Sequence, residues 1–96
     1  MLLVVRPVAL AEMEAARDWY EDQRSGLGTE FVAEVRTAFA HIVQAPTAFP
    51  QVHYAIRRLL LRRFPYAIFY HDALREVVVL AVIHLRRDPQ RWRSRG

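Results

Sequence analysis

Arg75-Glu76-Val77-Val78-Val79-Leu80-Ala81-Val82-Ile83-His84-Leu85 is the most strongly patterned stretch of the chain. Seven consecutive apolar residues, Val77 to Ile83, are rich in β-branched side chains and predict a strand. Successive side chains of a strand point to opposite faces of its sheet. A sheet covered on one face should therefore alternate apolar and polar residues. Here Val77, Val79, Ala81 and Ile83 are expected to point one way, and Val78, Leu80 and Val82 the other. This strand is therefore expected to be covered on both faces. Two readings of the second face stay open. Chain termini and arginine stems fill it, or it is an apolar face that awaits a partner.

Working outward, His71-Asp72-Ala73 is predicted to be a turn, and Tyr66 to Tyr70 an aromatic-rich strand before it. Residues 55–63, Ala-Ile-Arg-Arg-Leu-Leu-Leu-Arg-Arg, read as another strand, with Leu59 and Leu61 opposite Leu60. Phe64-Pro65 separates the two, since proline cannot donate to a ladder. Further back the period changes. Phe31, Val35, Ala38 and Ile42 step by four, three and four, an amphipathic helix capped by Thr29 and stopped by Pro46. A preceding helix opens at Pro7, carries Met13, Ala16 and Tyr20 with Ala9 and Trp19 at helical spacing, and ends at Arg24-Ser25-Gly26. Glu12 and Glu14 sit near its favourable N-terminal end. Leu2 to Val5 reads as a first strand. The order β-α-α-β-β-β predicts an α+β fold, a helical hairpin packed on a mainly antiparallel four-stranded sheet. The tail from Arg86 is arginine-rich, with a helical turn expected after Pro89.

Composition bounds the rest. A length of 96 residues suits one domain over 1–96, with neither repeats nor linkers. Cysteine is absent, which excludes disulfides and thiolate metal sites. The longest apolar run is far short of a membrane span, so a soluble cytoplasmic protein with no membrane partner is expected. All 14 basic residues are arginine. Residues 1–48 carry 4 Arg against 7 acidic residues, and residues 49–96 carry 10 Arg against 3. The basic second half is the expected contact surface for an anionic partner, nucleic acid or an acidic protein segment. The helix pair is a poor DNA reader, because its half of the chain is net acidic. His41, His53 and His71 show no ligand spacing, so no metal is expected, and no cofactor motif is present.

The ordered set of landmarks resembles toxins of the RelE/ParE superfamily, in its ParE-like, plasmid-stabilisation branch. Pro7 opens a helix that ends in Trp19-Tyr20, and Gly26-Leu27-Gly28-x-x-Phe31 joins the helices. Pro46-x-x-Phe49-Pro50 follows the second helix, and Arg57-Arg58 and Arg63-Phe64-Pro65-Tyr66-x-Ile68-x-Tyr70 occupy the middle strands. Ala81-Val82-x-His84-x-Arg86-Arg87-x-Pro89-x-x-Trp92-x-x-Arg95 closes the chain. The resemblance covers nearly all of it. It implies a toxin of a type II toxin–antitoxin module, masked by the C-terminal segment of a cognate antitoxin, with operator DNA contacted only through that antitoxin.

The superfamily divides by target. ParE-like members bind DNA gyrase and trap it on cleaved DNA without chemistry of their own. RelE-like members cleave messenger RNA on the ribosome. That cleavage needs a base, an acid and positive charge on the phosphate. His84 is the acid/base candidate, with Arg63 and Arg87 as phosphate ligands. The structural alternative for His84 is a histidine bonded to backbone or carboxylate. This chain has no lysine, unlike the lysine-rich RelE site. Glu76 stands about 26 Å from His84 along a straight strand, too far to pair with it. The His84-Leu85-Arg86-Arg87 ending matches ParE-like toxins, and gyrase binding is preferred on that basis. Arg57, Arg58, Arg62, Tyr66, Tyr70, Arg86, Arg91 and Trp92 are the candidate target- or antitoxin-binding residues. Their plain alternatives are a solvated terminus and arginines that keep strand edges apart. A third possibility is an inactive family member that only binds antitoxin and regulates its operon.

Overall fold

Pro7 opens a helix, α1 (Pro7–Gln23), in the computed structural model, which describes residues 1–87 and 90–96. Its missing N–H falls where a helix has no acceptor to offer. Ahead of it Leu2–Val5 forms β1, and after it comes α2 (Leu27–Gln44). Then follow β2 (Gln51–His53), β3 (Ile56–Leu60), β4 (Tyr66–Ala73) and β5 (Glu76–His84). Arg93–Arg95 adds a single 3₁₀ turn. Asp88 and Pro89, where the tail's helical turn was expected to begin, lie outside the described residues. The architecture is α+β as expected, with five strands where the sequence suggested four. The sheet runs β1-β5-β4-β3-β2, with β1 parallel to β5 and the remaining pairs antiparallel.

Several boundaries move for identifiable reasons. Thr29 does not cap α2. The helix starts at Leu27 behind Gly26, whose φ of +89° places it in the left-handed region. The cap is a carboxylate from the previous helix: Glu21 accepts the amides of Gly26 at 2.9 Å and Gly28 at 3.0 Å. A Cβ on Gly28 would stand 2.5 Å from the Arg17 carbonyl, so the close approach of the two helices requires glycine there. The expected strand over 55–63 pairs only as far as Leu60. His71-Asp72-Ala73 is strand, and the chain reverses at Leu74-Arg75, with Arg75 at φ +68°.

A bulge in β5 corrects the predicted face assignment. Tyr70 pairs with Val79 and Phe69 with Ala81, leaving Leu80 as the extra residue. Alternation therefore slips by one. Val77, Val79 and Val82 join the helical face, while Val78, Leu80, Ala81 and Ile83 take the other. On the helical face they pack with Tyr66, Ile68 and Tyr70 of β4 and with the predicted stripe Phe31, Val35, Ala38 and Ile42 of α2. Ala9, Ala16 and Tyr20 of α1 complete that core, but Trp19, expected among them, is 46% exposed.

The second face is closed by the chain itself. Trp92 stacks on Phe69 with ring centroids 4.2 Å apart and planes 10° from parallel, and Arg58 lines the small cavity beside it. Val78, Leu80, Ala81 and Ile83 are all buried as a result. A bare apolar face open to a partner is not what this strand presents; the reading of termini and arginine stems is the one the structure bears out.

Candidate functional site

β1 pairs with β5 only as far as Val79, so among the described residues no strand lies beside the edge of β5 from Leu80 onward. α1 lies along that edge, and a groove of about 490 Å³ runs between them. Val8, Ala11 and Ala15 form its apolar wall, and Trp19, Tyr66, His84, Arg87 and Arg91 gather at its other boundaries. The small side chains of α1 are what keep the groove open.

His84 ends β5. Its Nδ1 accepts the Arg86 amide at 3.1 Å, so in the neutral ring the proton sits on Nε2. The ring meets Tyr66 edge-on at 5.2 Å. Burial, and then the nearby Arg87 and Arg86 charges, hold its pKa below the usual 6.5. Folding therefore disfavours the protonated ring. The linked stability is present above pH 6.5 and falls as pH drops below it, levelling off once the folded-state pKa is passed. An NMR titration of His84 should give a midpoint below 6.5, and His84→Asn should remove part of the acid loss of stability. A midpoint above 6.5 would mean that an anion, not two guanidinium groups, governs the ring.

Arg87 lays its guanidinium over the Trp19 ring, 5.5 Å from the centroid. The Tyr20 and Tyr66 phenols have pKa values raised by burial, with Arg87 opposing, so both are protonated near neutrality. The structure thus brings His84, Tyr66, Arg87 and Arg91 to one groove. Arg63 does not line it. Its guanidinium pairs with Glu30 at 2.8 Å and sits over Phe64 at 5.3 Å. That bond, with a second from Arg24, lowers the Glu30 pKa.

The remaining candidates scatter. Arg57 donates to the carbonyls of Thr47 and Phe49 at 3.2 and 2.7 Å, and the Tyr70 hydroxyl donates to that of Pro46 at 2.7 Å. Together they hold the loop after α2 by satisfying its carbonyls. Tyr70 is fully buried, which leaves no ring face for a base or a partner. Arg58 is half-buried against the second face. The backbone of Arg62 is held by Glu34 at 2.7 Å, and its side chain is exposed. Arg86 is exposed and Trp92 is buried against Phe69, whereas Arg91 stays at the groove, 3.9 Å from Glu12.

Sequence reasoning missed two residues. Trp19 was read as core, yet it is the exposed aromatic of the groove. Glu12 was read as a helix-dipole partner, yet its carboxylate reaches the sheet. It accepts the Val82 amide at 3.1 Å and the Arg95 guanidinium at 2.9 Å. Arg95 also donates to the Leu80 carbonyl at 3.2 Å, and Arg6 donates to the Arg95 carbonyl at 2.8 Å. No local signal marks these contacts, whose partners lie 70 and 83 positions from Glu12. Chemically, the groove offers the imidazole of His84, the guanidinium groups of Arg87 and Arg91 and the protonated phenol of Tyr66, and its carboxylate, Glu12, is already engaged. Among the described residues no group of three or more His, Asp or Glu could hold a metal ion, and no helix is long and apolar enough to cross a membrane.

The fold is similar to that of a chain from the chromosomal ParDE toxin–antitoxin system of P. aeruginosa. The TM-score is 0.78 at 19% identity, covering 88% of this chain and 95% of that one. No curated protein matches the sequence. The family model described as the ParE toxin of the type II toxin–antitoxin system parDE matches residues 3–89. With nearly its whole length matched, this chain belongs to the ParE toxin family of type II toxin–antitoxin systems.

Proposed function

We propose that this protein arrests growth by binding DNA gyrase and is neutralised by an antitoxin encoded beside it. The observation that carries the first half is the make-up of the groove. Glu12 is engaged by Val82 and Arg95, and His84 faces two arginines, so among the described residues no carboxylate is paired with His84 as base and acid. What the groove presents is an exposed Trp19 under the Arg87 guanidinium, the residue types favoured as interface anchors. The similar P. aeruginosa structure comes from a chromosomal ParDE toxin–antitoxin system. Carrying that partnership over supplies the antitoxin.

A second reading rests on one specific observation: His84, Tyr66 and Arg87 line the same groove. In that reading the protein is a ribosome-dependent endoribonuclease with His84 as acid/base, although Arg63 would have to leave Glu30 to join it.

The purified chain should inhibit gyrase supercoiling and accumulate linear, cleaved DNA, and the product of the adjacent gene should abolish both effects. His84→Ala should then reduce growth arrest by less than about tenfold. Untouched gyrase, in a preparation that still arrests growth and loses that effect on His84→Ala, would move the function to the ribosome. A chain that arrests nothing when produced alone is an inactive member.

A further inference from the structure

We infer that the open edge of β5 at Val82–His84 receives an extended, acidic segment of the antitoxin as an added strand, and that the Glu12 carboxylate is a placeholder for it. The inference rests on the reading that an antitoxin is the partner, and it specifies where and how that partner is held.

Three observations converge. The first is the edge itself. Within β5 the groups that point away from β4 alternate. The Val82 amide does so, since it donates to Glu12 on α1, and the Leu85 amide faces β4 by donating to the Pro65 carbonyl. By the same alternation the Val82 carbonyl and both main-chain groups of His84 face the groove. An unpaired row of this kind is a template for strand addition.

The second is how the chain manages that edge. Glu12 gives Val82 the acceptor that a neighbouring strand's carbonyl would supply, and Arg95 gives the Leu80 carbonyl the donor that a neighbouring amide would supply. Side chains thus stand in for a missing strand, and at His84 nothing on α1 or the tail does so among the described hydrogen bonds. The stand-in also keeps two copies of the toxin from pairing edge to edge.

The third is charge. Arg87 lines the groove and meets no carboxylate among the described residues; its contact is the Trp19 ring. Arg86 is exposed next to it. A partner segment with acidic side chains would pair with these guanidinium groups, and its alternate, apolar side chains would cover Ala11, Ala15 and Trp19. A basic or nucleic-acid occupant is disfavoured. The first would face Arg86 and Arg87, and the second would gain nothing from an apolar helix wall.

The test uses the ¹⁵N-labelled chain with and without the full antitoxin, followed by amide exchange and NOEs. The expected result is that the His84 amide, fast in the free chain, slows at least about tenfold in the complex. Val82–His84 should also show amide-to-amide or amide-to-Hα NOEs to the partner. Arg87→Glu should weaken the complex at least about tenfold, whereas Arg36→Glu, on the exposed side of α2, should change it less than about twofold. In Glu12→Ala the Val82 amide should exchange faster in the free chain and recover protection in the complex. A complex that leaves His84 exchanging as in the free chain, or that is weakened more by Arg36→Glu, would overturn strand addition while leaving the antitoxin reading intact. No complex at all would overturn both.

Discussion

Trp92→Ala is expected to lower the melting temperature by about 12 °C or more. Truncating a buried tryptophan costs about 3–5 kcal/mol, and a domain of this size loses about 4–8 °C for each kcal/mol. The magnitude follows from position. Trp92 stacks on Phe69 and closes the second face over Ile83, Leu80 and Val78, so its removal leaves both a cavity and newly wetted aliphatic surface. With a total stability of about 5–15 kcal/mol for a typical domain, much of the reserve goes with one side chain. Thermal unfolding followed by circular dichroism measures it. A melting temperature within a few degrees of the parent would show that Trp92 does not hold the tail. Trp92 would then return to the contact surface proposed from sequence. The same consideration governs truncation after Arg87. Loss of toxicity in that variant reports on folding first, and it bears on gyrase only if the shortened chain is shown to be folded.

Tyr70 gives the second large effect, in two graded steps. Tyr70→Ala should cost about 3–5 kcal/mol, since the ring is fully buried between β4 and α2. Tyr70→Phe keeps the ring and loses only the bond to the Pro46 carbonyl, and should cost about 1–2 kcal/mol. The phenol carries a signature that the aliphatic core lacks. Burial pushes its pKa up to about 12, against 10.0 for a free tyrosine, with Arg57 opposing the shift. A raised pKa means the folded state prefers the protonated phenol. The linked stability is present below pH 10 and drains away as pH rises towards 12. Tyr70→Phe should therefore flatten the alkaline limb of the stability profile as well as lowering its plateau. Denaturant unfolding across that range checks both. Equal alkaline slopes in parent and variant would show that another tyrosine carries the transition.

Those two residues also mark where the sequence stopped being readable. The periodicities were legible. The α2 stripe, the doubly apolar β5 and the proline boundaries all follow from local pattern, and the element order β-α-α-β-β-β with its helical hairpin came with them, but not the place of β1 beside β5. Side-chain destination was not. Tyr70 and Arg57 look like surface groups for a target or an antitoxin until the loop after α2 is seen lying over them with three carbonyls to satisfy. β2 was missed because Gln51-Val52-His53 is too short to show alternation. The bulge at Leu80 was invisible because every residue around it is apolar, so a one-residue slip exchanged one aliphatic side chain for another without leaving a polar marker. The α2 cap was misassigned because Glu21 comes from the previous helix, and Thr29 offered a local candidate. Of the groove, His84 and Arg87 were found from the end of the apolar run. Glu12 and Trp19 required knowing that α1 lies against the free edge of β5 and not over the middle of the sheet.

The pairing of β1 with β5 has a consequence for synthesis. Leu2 lies beside Glu76, and Val5 beside Val79. Vectorial emergence from the translating ribosome therefore releases β1 and both helices long before the strand that orders them exists. With contacts this far apart in sequence, loop closure must precede any reward, and acquisition of structure is expected to be late and slow. A nascent chain stopped before residue 76 would hold a helical hairpin with its apolar stripe exposed, a substrate for proteases and chaperones more than a poison. The cell is thus expected to meet the folded toxin only after the β5 codons have been read, which makes premature termination anywhere upstream a silent event.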